Sequence, residues 1–161
     1  MTDTRHADSP ASGVLVGWRG VVDRIYGYLA GLFVVAVLAQ VFLAGVGAFG
    51  DHKKKVADAT SFDPHRALGS LLGMVAIVLF LVALSAWASR SGVLGAFVLA
   101  ALIFAAQPAL ANAGDNNKWS GGLHALDGML ILIVSAWLAG AAHRRQAARK
   151  RLSTADKGEV P

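Results

Sequence analysis

Four polar residues interrupt otherwise apolar stretches of the chain, and their order repeats: Gln40 then His65, Gln107 then His124. Imidazole is the commonest metal-ligating side chain. Two neutral imidazoles on facing helices hold a heme iron from both axial sides. His65 is followed at i+4 by Gly69 and at i+8 by Gly73, and His124 at i+4 by Gly128. Residues four apart share a helix face, so each histidine is expected to overlook a face without a side chain one turn on, giving clearance for a flat ligand. Asp127, three residues after His124, is placed to accept the other ring N–H of that histidine and fix its tautomer, or to act as a proton site. Arg66, beside His65, and the run Lys53 to Lys55 offer cations for heme propionates. Gln40 and Gln107 are expected to line the pocket. The same residues allow plainer readings. A histidine at a helix start is often only hydrated, glycines let helices pack closely, and glutamines bond across helices.

Other chemistries lack their residues. With no cysteine there is no thiolate ligand, disulfide or iron–sulfur cluster. A zinc set drawn from His65, His124, Asp127 and His52 has no local ligand spacing. No nucleophile has a base in reach, so no catalytic residue is assigned. No phosphate loop or dinucleotide fingerprint occurs. The net charge of +5 reports membrane topology, not a nucleic-acid partner.

The elements that position these residues follow from charge. Hydrophobic residues make up 55 % of the 161, gathered in blocks. Ile25 to Gly50, Ala67 to Ser89 and Ser91 to Gly114 carry no charge, and Trp119 to Ala142 carries only Asp127. Each exceeds the roughly 20 residues that span a bilayer core as a helix, and none alternates as a barrel strand must. The expected fold is all-α, an integral membrane antiparallel four-helix bundle over 25–142, with spans at about 25–49, 65–89, 93–113 and 119–142. Residues 1–24 are an N-terminal segment, with a disordered tail to about residue 12 and an interfacial stretch from Val14 to Val22. Residues 143–161 are a basic tail, expected to continue as a helix and then fray. Asp63 and Pro64 read as N-cap and first helical residue of the second span.

Four spans divide the 15 basic residues ten to five, with ten on the side of both termini. This predicts a bacterial plasma-membrane protein with both ends in the cytoplasm. Trp18, Tyr26, Tyr28 and Trp87 are expected near the inner interface, and Phe49, Phe62 and Trp119 near the outer one. By helix rise, Gln107 lies about 10 Å and His124 about 8 Å inside the outer ends of their spans. His65 sits at an outer end and Gln40 near mid-depth. No counterpart cluster is expected at the inner end. Ser70, Ser85 and Ser135 are expected to bond back to their own helices. The two Gln-then-His hairpins suggest a twofold axis along the membrane normal, which sets the second and fourth spans diagonally.

Ala39-Gln40-Val41-Phe42-Leu43-Ala44-Gly45, Phe62-Asp63-Pro64-His65-Arg66-Ala67-Leu68-Gly69, Gln107-Pro108 and Leu123-His124-Ala125-Leu126-Asp127-Gly128 together resemble an uncharacterised bacterial family of four-span membrane proteins, over about residues 25–142. The pattern is also similar to one four-helix half of heme A synthase, whose halves bind heme through histidines on their second and fourth helices. That resemblance implies that His65 and His124 are an axial pair and that His65-Arg66 matches the His-Arg pair opening the second helix. Asp63 and Pro64 stand where the catalytic half of that enzyme has a glutamate, and only one half is present. Heme binding is therefore implied, and heme A synthesis is not.

The expectation is a small membrane cytochrome holding one b-type heme between His65 and His124, for electron transfer or heme handling. With both axial positions filled it is expected not to be an enzyme. Its partners would be the lipid bilayer and a membrane redox partner or quinone, with homo-oligomerisation open. The alternatives are a cofactor-free accessory or scaffold subunit, and a small proton-linked transporter using Asp127 and His124.

Overall fold

The computed structural model describes residues 10–49, 62–85, 89–114 and 116–158. Of the tail expected to about residue 12, residues 1–9 lie outside the described residues, as do His52, the Lys53 to Lys55 run and Trp87, while residues 10–12 are already helical.

Four long helices follow one another: α1 (Pro10–Phe49), α2 (Asp63–Ser85), α3 (Arg90–Gly114) and α4 (Lys118–Gly158). All four are long and apolar enough to cross a membrane. α1, α3 and α4 overrun the expected spans, whereas α2 starts two residues early, at Asp63, and its helix is described only to Ser85, short of the expected 89. α1 and α4 have 40 and 41 residues, about 60 Å each at the α-helical rise. The expected interfacial stretch from Val14 to Val22 is therefore no separate element. It belongs to α1, which Pro10 opens at the first position, where the missing N–H costs nothing. The basic tail continues α4 without a break as far as Gly158.

α3 starts three residues earlier than expected. The Ser89 hydroxyl accepts from the Gly92 N–H at 3.2 Å, so Arg90 already lies in the first turn. Further on, Leu102–Ala106 widens into a π turn between Arg90–Ala101 and Gln107–Gly114, with the Gln107 N–H bonded to the Leu102 carbonyl. Pro108 explains it. Proline has no N–H and its ring crowds the carbonyl four residues back, and a wider turn relieves both.

Each helix packs on two neighbours: α1 on α2, α2 on α3, α3 on α4 and α4 on α1. Among the described residues no close backbone approach joins α1 to α3 or α2 to α4. The inward faces are helical stripes: Tyr26, Ala30, Phe33 and Val37 on α1, Leu72, Ala76, Leu79 and Ala83 on α2, and Ile131, Leu138 and Ala142 on α4. Large apolar residues such as Leu32, Val35, Leu81, Leu94 and Ile133 point outward, the arrangement expected when the surrounding solvent is lipid. Small side chains at Ala76, Ala83, Ala96 and Ala139 let the backbones approach.

The buried apolar residues are confined along the helix axes. Toward the end where α1 meets the loop after Phe49, which we term the loop end, they stop at Val37, Leu72, Leu99 and Ile131. Gln40, His65, Gln107 and His124 all lie beyond that limit.

Candidate functional site

The four sequence-flagged residues come together at the loop end as two chemically equivalent pairs. The Gln40 side-chain amide donates to the His65 backbone carbonyl at 2.8 Å, and the His65 ring Nδ1 lies 3.2 Å from the Gln40 backbone carbonyl. The Gln107 amide donates to the His124 carbonyl at 3.1 Å, and His124 Nδ1 lies 3.2 Å from the Gln107 carbonyl. A carbonyl only accepts, so Nδ1 carries the proton in both rings. Nε2 is then the lone-pair nitrogen of each neutral imidazole. Gln40 Nε2 stands 3.4 Å from His65 Nε2, at the weak end of hydrogen bonding. The rings of His65 and His124 meet across the interior although their helices do not touch there. Their centroids are 6.3 Å apart and their planes 69° apart.

The surroundings differ from expectation in three respects. Asp127 does not hold the His124 ring, because the Gln107 carbonyl takes Nδ1. Asp127 is instead buried at 5 % exposure with its Oδ2 unpartnered. The glycine notches are not simple clearance. A Cβ at Gly69 would stand 3.0 Å from the Gln40 amide nitrogen, and one at Gly73 3.4 Å from the Phe104 ring. Gly128 is roomier, its Cβ position lying 3.9 Å from the Gln107 amide. Gly69 is thus what lets Gln40 reach across to α2. At the rim, Arg66 pairs with Asp63 at 3.4 Å, both well exposed. Phe62 sits edge-on to His65 at 6.2 Å and fills the space beside Gly47. Among the described residues no three His, Cys, Asp or Glu side chains gather as a metal cluster; His52 of the assembled zinc set lies outside the described residues.

A second polar cluster, at the opposite end, was not expected. Asp23 on α1 pairs with Arg149 on α4 at 2.7 Å, and the Gln146 amide donates to the Asp23 carbonyl at 2.9 Å. The Arg145 guanidinium lies over the Tyr26 ring at 5.8 Å. Tyr26, expected at the interface, is 2 % exposed. Gly27 is the notch through which Gln146 passes, since a Cβ there would collide with its amide. The signal was present in the sequence as an acidic residue just before the first charge-free block and a basic run just after the last.

Four membrane-length helices with paired polar side chains between them define a multi-pass membrane protein. Residues 40–114 match the model of a family of unknown function, DUF6220. The match begins at Gln40 and takes in His65 and Gln107, and it fits the uncharacterised family anticipated from the motifs. No curated protein and no solved structure matches the chain, so the likeness to heme A synthase is not recovered.

Proposed function

We propose that this protein is a small membrane cytochrome-like protein that holds one b-type heme between His65 on α2 and His124 on α4, for electron transfer or heme handling. The observation that carries the reading is the spacing and tautomer of the two histidines. Their ring centres are 6.3 Å apart and both protons are placed on Nδ1. Two imidazoles bound through Nε2 to opposite faces of one metal ion have ring centres about 6.2 Å apart, given metal–nitrogen bonds of about 2.0 Å. A ligating histidine that donates its other N–H to a backbone carbonyl is the usual arrangement around a metal. The fully buried apolar residues end short of this layer, and beyond them only partly buried ones such as Leu68 and Ile103 pack on the core.

When bound, the heme supplies one-electron chemistry. The chain's part is to fix both rings through Gln40 and Gln107, to keep water out with the apolar stripes below, and to offer Arg66 at the rim. The helices are read as an antiparallel bundle in a bacterial plasma membrane, with both termini cytoplasmic and the heme toward the outer face. A quinone or another membrane redox protein would be the partner.

Phe104 in the notch of Gly73 and the Gln40 amide beside Gly69 favour a second reading, a cofactor-free accessory subunit whose glycines serve packing alone. The visible spectrum of the protein purified in detergent from heme-sufficient cells separates the two. The heme reading expects a strong Soret band and sharp reduced bands, lost in His65→Ala and in His124→Ala. A colourless wild type, or colour that survives both substitutions, leaves the accessory reading.

A further inference from the structure

Asp127 occupies the first position of the inward stripe of α4, ahead of Ile131, Ser135, Leu138 and Ala142, and it is 5 % exposed. Its Oδ2 has no hydrogen-bond partner. A carboxylate placed so is costly unless positive charge or donors offset it, and more so at membrane depth. The helices supply no cation at that level. No Lys or Arg lies between Ile25 and Phe49 on α1, Ala67 and Ser85 on α2, Ser91 and Gly114 on α3, or Trp119 and Ala142 on α4. Titratable groups reach the loop end from α2, as His65 with Asp63 and Arg66 at the rim, and from α4, as His124 with Lys118. α1 and α3 bring none there. His124 has committed its ring proton to the Gln107 carbonyl, and Arg66 pairs with Asp63.

We propose that Asp127 is the counter-charge of the metal group held between His65 and His124, and not a ligand to it. The inference rests on the heme reading above. Two neutral imidazoles add no charge, so oxidation would raise the charge of the iron–porphyrin core by one unit whatever its propionates carry. A fixed negative charge at Asp127, one turn from His124, would therefore favour the oxidised form of a group held there. Two unit charges roughly 10 Å apart at an effective dielectric constant of about 20 interact strongly enough to shift an equilibrium about tenfold, which sets the size of effect to look for.

The test is a redox titration of the purified heme protein with a mediated one-electron reductant, comparing wild type with Asp127→Asn and Asp127→Glu. Asp127→Asn is expected to favour reduction about tenfold, a rise of about 59 mV for one electron. Asp127→Glu, which keeps the charge, is expected to stay near wild type. Heme lost from Asp127→Asn but kept by Asp127→Glu also supports the proposal, since charge then decides binding. Unchanged potentials in both variants overturn it. So does loss of heme from both, because side-chain size rather than charge would then be what the site requires. A wild type without heme overturns the reading beneath it, an outcome distinct from any behaviour of the variants.

Discussion

Each glutamine bonds its histidine twice, once through the side-chain amide to the histidine carbonyl and once through its own carbonyl to Nδ1. Gln40→Leu or Gln107→Leu removes the first bond and leaves the second in place. The ring keeps its tautomer but loses the anchor of its backbone. Changes to groups that support a metal ligand typically weaken metal binding by about 10- to 100-fold. Each variant should therefore release heme about tenfold faster to an apo-globin acceptor, while His65→Ala and His124→Ala bind none. Equal release rates in wild type and both glutamine variants would deny the glutamines this role. At this scale residue types and their order were legible in the sequence, and so were the serines. Ser70, Ser85 and Ser135 bond back to their own helices at 3.1, 3.0 and 2.9 Å as expected. The partner of His124 was not legible. A nearby carboxylate, Asp127, was the obvious acceptor by spacing, and a backbone carbonyl on another helix leaves no mark in sequence.

The terminal halves of α1 and α4 are tied by groups far apart in the chain. Gln146 and Asp23 are 123 residues apart, and neither stands out in the sequence taken alone. Their meeting could be read only once the two helices were known to continue past the membrane-length blocks. Arg149→Ala leaves the Asp23 carboxylate, only 10 % exposed, without its partner, while Arg149 itself is 53 % exposed. Solvent screens part of that loss, so the expected destabilisation is about 1 kcal/mol, read from unfolding in mixed detergent and SDS micelles. Gly27→Ala should act in the same direction, because its methyl displaces the Gln146 amide from the Asp23 carbonyl. An Arg149→Ala protein as stable as wild type would show that the pair contributes nothing. The wide turn in α3 belongs to this scale too. Pro108 announced a disturbance of the helix, but whether it would kink, end or widen depends on what packs against it. Here the widened turn leads directly into Gln107, whose carbonyl and amide both reach α4.

For the molecule as a whole, the spans were legible because a bilayer core demands uninterrupted apolar helix, and charge-free blocks meet that demand directly. Their true ends were not, because charged residues leave a helix free to run on into water. Orientation has its own measurement. The chain has no cysteine, so single cysteines report unambiguously. Asn116→Cys, between α3 and α4, should react with a membrane-impermeant maleimide added to intact cells. Ser91→Cys, at the start of α3, should react only after permeabilisation, and the reverse pattern would invert the topology. The central claim is that two histidines hold one iron between α2 and α4. Low-temperature electron paramagnetic resonance of the oxidised, purified protein addresses it most directly. Two histidines holding one heme iron would give a low-spin ferric signal, absent from His65→Ala and His124→Ala. A high-spin ferric signal, or no heme signal from protein made in heme-sufficient cells, would contradict it.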